Sequence, residues 1–177
     1  MALKKSSALM NLGGQVTLVD GAGFTQSVIN LPLDALNREI FVVTDIQVDH
    51  NPGLLFDAAL GGTQEIQGQA TMNTQTGLLG INNPDCIGRF GARTIQGGAG
   101  NLGAGAALYH ANPDETSSGT QSDYLSIVAT PDFFVGGVFA TTTGGGPNRT
   151  VNIRLTGYRA IADTGTYSAL IAQQINN

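Results

Sequence analysis

The stretch that decides the fold is "NRTVNIRLTGYR", residues 148–159. Apolar and polar side chains alternate within it at a period of two, which is typical of a β-strand with one face on a core and the other face polar. The core-facing residues are Val151, Ile153 and Leu155, and the polar face carries Asn152, Arg154, Thr156 and Tyr158. Three of the eight basic residues of the chain also lie here, namely Arg149, Arg154 and Arg159. The identity of whatever the polar face contacts is therefore the first question about function.

Similar strands recur along the chain, separated by turns rich in Gly, Pro and Asn. Alternation predicts strands at residues 14–20, 24–33, 39–50, 123–130, 133–143 and 149–162. In the third of these, we expect one apolar face made of Ile40, Val42, Ile46 and Val48. The mostly polar residues 63–73 predict an exposed or edge strand, and residues 76–96 predict loops around two short strands.

The last fifteen residues, 163–177, favour a short helix with Tyr167, Leu170 and Ile171 on one side, and residues 33–39 favour a single helical turn. Roughly eight strands without any alternation of strands and helices predict an all-β fold. We expect a single-domain jelly roll or two-sheet antiparallel β-sandwich with short helical turns. Residues 1–13 are predicted to form an N-terminal arm and residues 14–177 the β-sandwich domain.

The composition indicates a folded protein with an unusual surface. The chain has 177 residues, of which 41% are hydrophobic and 12% charged, whereas ordinary domains have about 25% charged residues. Disordered chains are poor in apolar residues, so the low charge here does not indicate disorder. Interface cores are depleted in charge, and contact between subunits would therefore suit such a surface. The single cysteine, Cys86, excludes an internal disulfide.

The charge balance argues against a free-standing nucleic-acid-binding domain. The net charge is −5, and such a domain needs a basic face. Lysine occurs only as Lys4 and Lys5, which are the candidates for nucleic-acid contact. Two charges neutralise too few phosphates alone, but many copies displayed together gain avidity. The alternative is an ordinary solvated terminus. The sequence predicts no secretion signal and no membrane span.

Candidate ligand sites are few. Asp114, Glu115 and Asp123 are candidate Ca²⁺ ligands in a long loop, without the ordered spacing of an EF-hand; the alternative is a solvated acidic loop. "GAGNLG", residues 98–103, matches a dinucleotide-binding pattern but lies in a glycine-rich loop and not between a strand and a helix. His50 and His110 are far apart in sequence and lack the further ligands of a metal site.

Catalysis finds no support in the sequence. No GxSxG or HExxH pattern occurs, and Cys86 has no histidine nearby. A glycosidase with two carboxylates, or a carbohydrate-binding module, generally carries aromatic platforms for sugars, whereas this chain is 6% aromatic and has no Trp. We therefore predict a protein that is not an enzyme, with no catalytic residue, no cofactor-binding residue and no small-molecule substrate.

Three segments together resemble the single jelly-roll capsid proteins of small icosahedral viruses. They are "REIFVVTDIQVD" (residues 38–49), "SDYLSIVATPDFFVGGVF" (residues 122–139) and "RTVNIRLTGYRAIADTGTYSAL" (residues 149–170). The resemblance covers the β-rich body as a pattern of architecture. It implies a subunit that self-assembles into a closed shell around a genome, within a virion. In that family a basic N-terminal arm often binds the genome, but this arm holds only Lys4 and Lys5.

The sequence thus predicts a structural protein whose partner is itself, most simply a viral capsid subunit. Arg154, Tyr158 and Arg159 are the predicted subunit-contact residues, because Arg and Tyr are enriched at interfaces. The alternatives are a β-sandwich binding module for a glycan or another surface ligand, a hydrolase on a β scaffold, and a filament or decoration subunit. A shell and a filament are not separable here, because closure depends on the rotation between subunits.

Overall fold

The computed structural model describes residues 4–49, 62–96, 107–113, 124–142 and 148–175. These residues form antiparallel strands and one helix, in agreement with the predicted all-β class. The strands are β1 (Lys4–Lys5), β2 (Met10–Leu18), β3 (Thr25–Asn30), β4 (Glu39–Asp49), β5 (Thr63–Thr71), β6 (Cys86–Gln96), β7 (Ala107–Pro113), β8 (Ser126–Val128), β9 (Asp132–Thr141) and β10 (Arg149–Ile161), and the helix is α1 (Thr164–Ile175).

The strands form two five-stranded sheets. In the first sheet β10 pairs with β1 and β2 on one side and with β4 on the other, and β4 pairs with β8. The second sheet has the order β3-β9-β5-β6-β7. Four antiparallel pairs, β2 with β10, β3 with β9, β4 with β8 and β5 with β6, make the chain one long folded hairpin. That hairpin is wrapped so that β10 meets β4 and β9 meets β5, which is a jelly roll. The predicted fold is therefore confirmed.

The core lies between the sheets and is lined by the alternate residues of each strand. On β10 the three predicted core residues, Val151, Ile153 and Leu155, are fully buried, as the alternation requires. They pack with Phe41 and Val43 of β4 and with residues of the second sheet. The members from that sheet include Ile66, Phe90, Phe133, Val135 and Phe139.

The predicted apolar face of β4 is wrong in one half. Register with β10 shifts between Thr156 and Gly157, which leaves Thr44 as an extra residue in β4. Such a bulge reverses the phase of the strand. Ile46 therefore belongs to the main core, whereas Ile40 and Val42 lie in a separate cluster on the opposite face.

Helix α1 covers this second cluster. Its side chains Tyr167, Leu170 and Ile171 pack there, as the sequence predicts. The buried members of the cluster are Ile40, Val42, Ile127, Ala129, Ala160 and Ala162. Gln174, near the end of the helix, accepts hydrogen bonds from the backbone N–H groups of Ala129 and Thr130 and donates one to the carbonyl of Ile127. The amide thus fastens α1 to the residues of β8 and the turn after it.

The prediction of an exposed or edge strand at residues 63–73 is also wrong. Strand β5 lies between β9 and β6, and its polar residues Gln64 and Gln69 are buried. The side-chain amide of Gln69 donates to the carbonyl of Gly77 and accepts from the N–H of Leu79. These two bonds satisfy the buried amide, which would destabilise the fold if it had no partners. The paired strand β6 is likewise continuous over Cys86–Gln96 and is not two short strands.

Candidate functional site

Three adjacent strands of the first sheet present a polar surface to solvent. The rows of this surface run across β2, β10 and β4 in strict register. We call it the outer polar face, and its rows are Gln15–Asn152–Asp49, Gly13–Arg154–Gln47 and Asn11–Thr156–Asp45. The polar side of residues 148–159 therefore points away from the core, on the part of the first sheet that α1 does not cover.

Arg154 lies at the centre of the outer polar face and is exposed. Its Nη2 donates to Oε1 of Gln47, and Nε2 of Gln47 donates to Oδ2 of Asp45 at 3.1 Å. On its other side stands Gly13, with no non-neighbouring atom within 4 Å of the position that a Cβ would occupy. A shallow cavity of about 290 Å³ includes Arg154, Gln47, Asp49 and Asn152 in its lining. The guanidinium is thus bonded to Gln47 on one side and open to solvent on the side of Gly13.

Arg149 has the opposite environment, because it lies an odd number of residues from Arg154 on the same strand. It is 1% exposed and projects into the core with Val151. Its Nη2 donates to Oε1 of Gln64 at 3.2 Å, and its guanidinium carbon lies 5.4 Å from the centre of the Phe139 ring. A guanidinium over an aromatic face is favourable when desolvated. The alternation of side chains along β10 places Arg149 on the inward face, although arginine is rarely found in a protein core.

The other two predicted contact residues are engaged within the chain. Arg159 forms an ion pair with Glu39 at 3.4 Å and donates to the carbonyl of Pro32 at 3.3 Å. Tyr158 lies on the outer side of the sheet and packs against the cluster under α1. The ammonium of Lys5 lies 4.7 Å from the centre of the Tyr158 ring. Arg154 is therefore the member of the predicted trio with the most open surface.

Most of the described residues of the predicted N-terminal arm bond to the body of the fold. Lys4 and Lys5 form β1, opposite Ile161 and Ala160 of β10. The backbone N–H groups of Ser6 and Ser7 donate to the carbonyl of Arg159. Strand β2 then begins at Met10, four residues earlier than the sequence predicts. Lys4 and Lys5 are both exposed residues.

The candidate Ca²⁺ ligands Asp114, Glu115 and Asp123 lie outside the described residues, as do His50 and the "GAGNLG" segment. Of His110 the structure describes only the backbone, in β7. Within the described part of the chain, no group of three His, Cys, Asp or Glu side chains could hold a metal ion. No helix among the described residues is long and apolar enough to cross a membrane.

One further surface could not be predicted from the sequence. Residues 6–33 contain a single charged side chain, Asp20, which accepts hydrogen bonds from the N–H and hydroxyl of Thr141. The fold turns this segment into one side of the sandwich, where β2 borders the first sheet and β3 borders the second. We call β2, β3 and the connecting residues 19–24 the uncharged edge. Val19 and Val28 within it, and Leu9 beside it, are exposed apolar residues.

The signal for the uncharged edge is present in the sequence as a run without charge. This run indicates a surface only once the topology shows that β2 and β3 are edge strands of the two sheets on the same side of the sandwich. Gly14 and Ile29 show this proximity, because a Cβ on Gly14 would fall 1.6 Å from Cδ1 of Ile29. The two open strands are therefore neighbours across the sandwich.

Comparison with known proteins gives likeness of architecture alone. No protein-family model and no curated protein matches the sequence. Among solved structures, Merkel cell polyomavirus VP1, as an unassembled pentamer, is 6% identical over 91% of this chain and 99% of that one, with a TM-score of 0.44. Desmodium yellow mottle tymovirus is 11% identical over 87% and 86% of the two chains, with a TM-score of 0.28. This is a weak, architecture-level resemblance to viral capsid proteins; the jelly roll itself rests on the strand pairing.

Proposed function

We propose that this chain is a structural subunit that assembles with many copies of itself, as a viral capsid subunit forming a closed shell around a genome within a virion. The observation that carries the proposal is the uncharged edge. Two copies with a net charge of −5 repel each other at long range, and contact through a side with one engaged carboxylate avoids burying unpaired ions. Because the proposal assigns the chain a structural role, it includes no catalytic step and no cofactor.

Arg154 supplies the proposed second contact, on the outer polar face. Arginine is enriched at interfaces because its planar guanidinium makes several hydrogen bonds at once. Gln47 and Asp45 fix one side of the group, and the side towards Gly13 remains accessible. Tyr158 and Arg159 remain predicted contact residues. On assembly, each would either exchange its partners within the chain for groups of another copy or bond to both.

The test of the proposed function is the mass of the purified protein, measured by sedimentation velocity and seen by negative-stain microscopy. We expect particles of many copies. A monomer at high concentration contradicts the proposal and favours a binding module instead. Open filaments in the micrographs would retain self-assembly but contradict the closed shell.

The Arg154 contact is tested with Arg154→Glu, which we expect to weaken or prevent assembly while the monomer stays folded. Arg93→Glu is the matched control, because Arg93 is an exposed arginine on β6 of the second sheet and the charge change is the same. Particles from Arg154→Glu that match those of the control contradict the assignment of Arg154.

Nucleic-acid contact is proposed only through Lys4 and Lys5, acting in many copies at once. Both lysines are exposed residues of β1. We expect purified particles to show a raised ratio of absorbance at 260 to 280 nm, and a double Lys4→Glu, Lys5→Glu variant to lower it. An unchanged ratio in the variant would assign genome contact to other residues.

A further inference from the structure

The uncharged edge consists of two strands that each pair on one side only, as far as the described residues go. Strand β2 pairs with β10 along its nine residues, and β3 pairs with β9 along its six. Among the described strands, none pairs with the other side of either. An open strand edge presents a row of backbone N–H and C=O groups that can extend a sheet.

Neither strand carries the features that normally prevent such pairing. Natural edge strands are protected by lysine or other charges, by proline, by bulges, or by being short. The sequences MNLGGQVTL and TQSVIN contain no charge and no proline, and their registers with β10 and β9 are continuous. Elsewhere in the first sheet the edges are protected, since β8 has three residues and β1 is Lys4–Lys5.

The absence of charge points to a second copy as the partner. In a twofold contact each residue near the axis lies close to the same residue of the other chain, so a charge there meets its like. No residue of β2 is charged, so no such repulsion arises along this strand. The single charge nearby, Asp20, is bonded to Thr141. A cationic or anionic partner would instead be recognised by charged side chains, and the one charged side chain of this edge, Asp20, is already bonded to Thr141.

We infer that the β2 strands of two copies pair antiparallel across a twofold axis and so join the first sheets of both subunits. The inference rests on the proposed function and specifies one of its contacts. The edge is about 30 Å long at ~3.4 Å per residue, and about 20 Å wide for two sheets ~10 Å apart with their side chains. The resulting ~600 Å² per copy is somewhat below the ~800 Å² of a standard interface, which suits one of several contacts in a particle.

The first experiment places a charge on the proposed axis. Gln15 is exposed near the middle of β2, and Gln15→Lys brings like charges together in any central antiparallel register. We expect the dissociation constant for self-association, measured by sedimentation, to rise at least about tenfold. Gln173→Lys, the same change at an exposed glutamine of α1, is the control and should associate as wild type does.

Mixing two oppositely charged variants distinguishes charge repulsion across the twofold axis from other effects of substituting Gln15. Gln15→Lys and Gln15→Glu chains should each associate weakly, and an equimolar mixture should recover association because opposite charges then meet. Hydrogen exchange provides the backbone readout. In the assembled state the β2 amides that face away from β10 should become protected, whereas in the monomer only the alternate amides that bond to β10 are.

The outcomes separate this inference from the proposed function. A wild-type chain that is monomeric at all concentrations overturns both. Wild-type particles together with Gln15→Lys particles of unchanged stability, or with unprotected outward β2 amides, overturn the paired edge and leave self-assembly in place. Weakened association of Gln15→Lys, recovery on mixing and protected amides support the pairing.

Discussion

The two halves of the outer surface of the first sheet are built from the same two strands, β4 and β10, yet have opposite character. In one half, Ile40, Val42 and Ala160 lie buried beneath α1. In the other half, Gln47 and Arg154 are exposed on the outer polar face. The first half is covered within the chain by α1, and the second is exposed to solvent.

A single residue separates the two halves. The bulge at Thr44 reverses the phase of β4, and the hydroxyl of Thr44 donates to the carbonyl of Thr156 at the point where the register shifts. In β4, the outward side chains before the bulge are apolar and are buried by α1. The outward side chains after the bulge are polar and face solvent. The difference teaches that one inserted residue can divide the outer surface of a sheet into a covered apolar half and an exposed polar half.

Deletion of Thr44 should have the largest effect, because it removes the bulge and forces one half of β4 onto the wrong face. Either Ile40 and Val42 enter the space of Phe41 and Val43, or the pairing with β10 is lost. We expect a loss of more than about 5 kcal/mol in the free energy of unfolding, measured as failure to show a cooperative denaturant transition.

The control for this deletion is Thr44→Val, which keeps the residue count and loses only the hydrogen bond to Thr156. We expect a cost of about 1 kcal/mol. Equal stabilities for the deletion and the substitution would contradict the role given to the bulge.

The next largest effect is expected from Arg149→Ala, which leaves a cavity beside Phe139 and removes the donor to Gln64. The free energy of unfolding should fall by about 3 kcal/mol. Arg154→Ala, on the opposite face of the same strand, should change it by less than about 0.5 kcal/mol. Denaturant titrations of the dissociated variants measure both values, and a reversed order would contradict the assignment of inner and outer faces.

Gln174→Ala should weaken the attachment of α1 over the covered half by about 2 kcal/mol, because three backbone groups of residues 127–130 lose their partner. Gln173→Ala is the matched control, since that neighbouring glutamine is exposed, and it should be near neutral. Chemical denaturation monitored by circular dichroism compares the two. If both variants unfold at the same denaturant concentration, the Gln174 bonds do not hold the helix.

The smallest effect is expected at the start of α1. The N–H and hydroxyl of Thr166 donate to the carboxylate of Asp163, which lowers the pKa of Asp163 below its ordinary value of 3.8. Because the folded pKa is the lower one, this contribution to stability is present above the unfolded pKa and is lost as pH falls through the folded value. Wild type should therefore lose its advantage over Asp163→Asn as the pH falls through 3.8 and below, and a difference in stability that does not change with pH would contradict this contribution of the Asp163 carboxylate.

Much of the fold could be predicted from periodicity, because the core of a sandwich imposes a period of two. The alternation in β10, the helix at the C-terminal end and the all-β class are all confirmed. The phase change in β4 could not be predicted, because Ile40 and Ile46 are equally apolar and only the register with β10 separates them. Burial of β5 was missed because Gln64 and Gln69 look like surface residues until their partners are known.

The candidate site divides in the same way. Arg154 could be placed on an open face from the parity of β10 alone. The ion pair of Arg159 with Glu39 joins residues 120 apart in the chain, and the uncharged edge joins two sheets, so both depend on tertiary structure. A run without charge is visible in a sequence, but its position at the side of the sandwich is not.

The measurement that tests the central claim most directly is the sedimentation of the wild-type protein over a wide range of concentration. The monomer has a mass of 18.2 kDa. We predict a concentration-dependent transition to species of many copies, with the Arg154→Glu and Gln15→Lys variants shifted to higher concentration. A single 18.2 kDa species at every concentration would contradict the claim that this jelly roll is an assembling subunit.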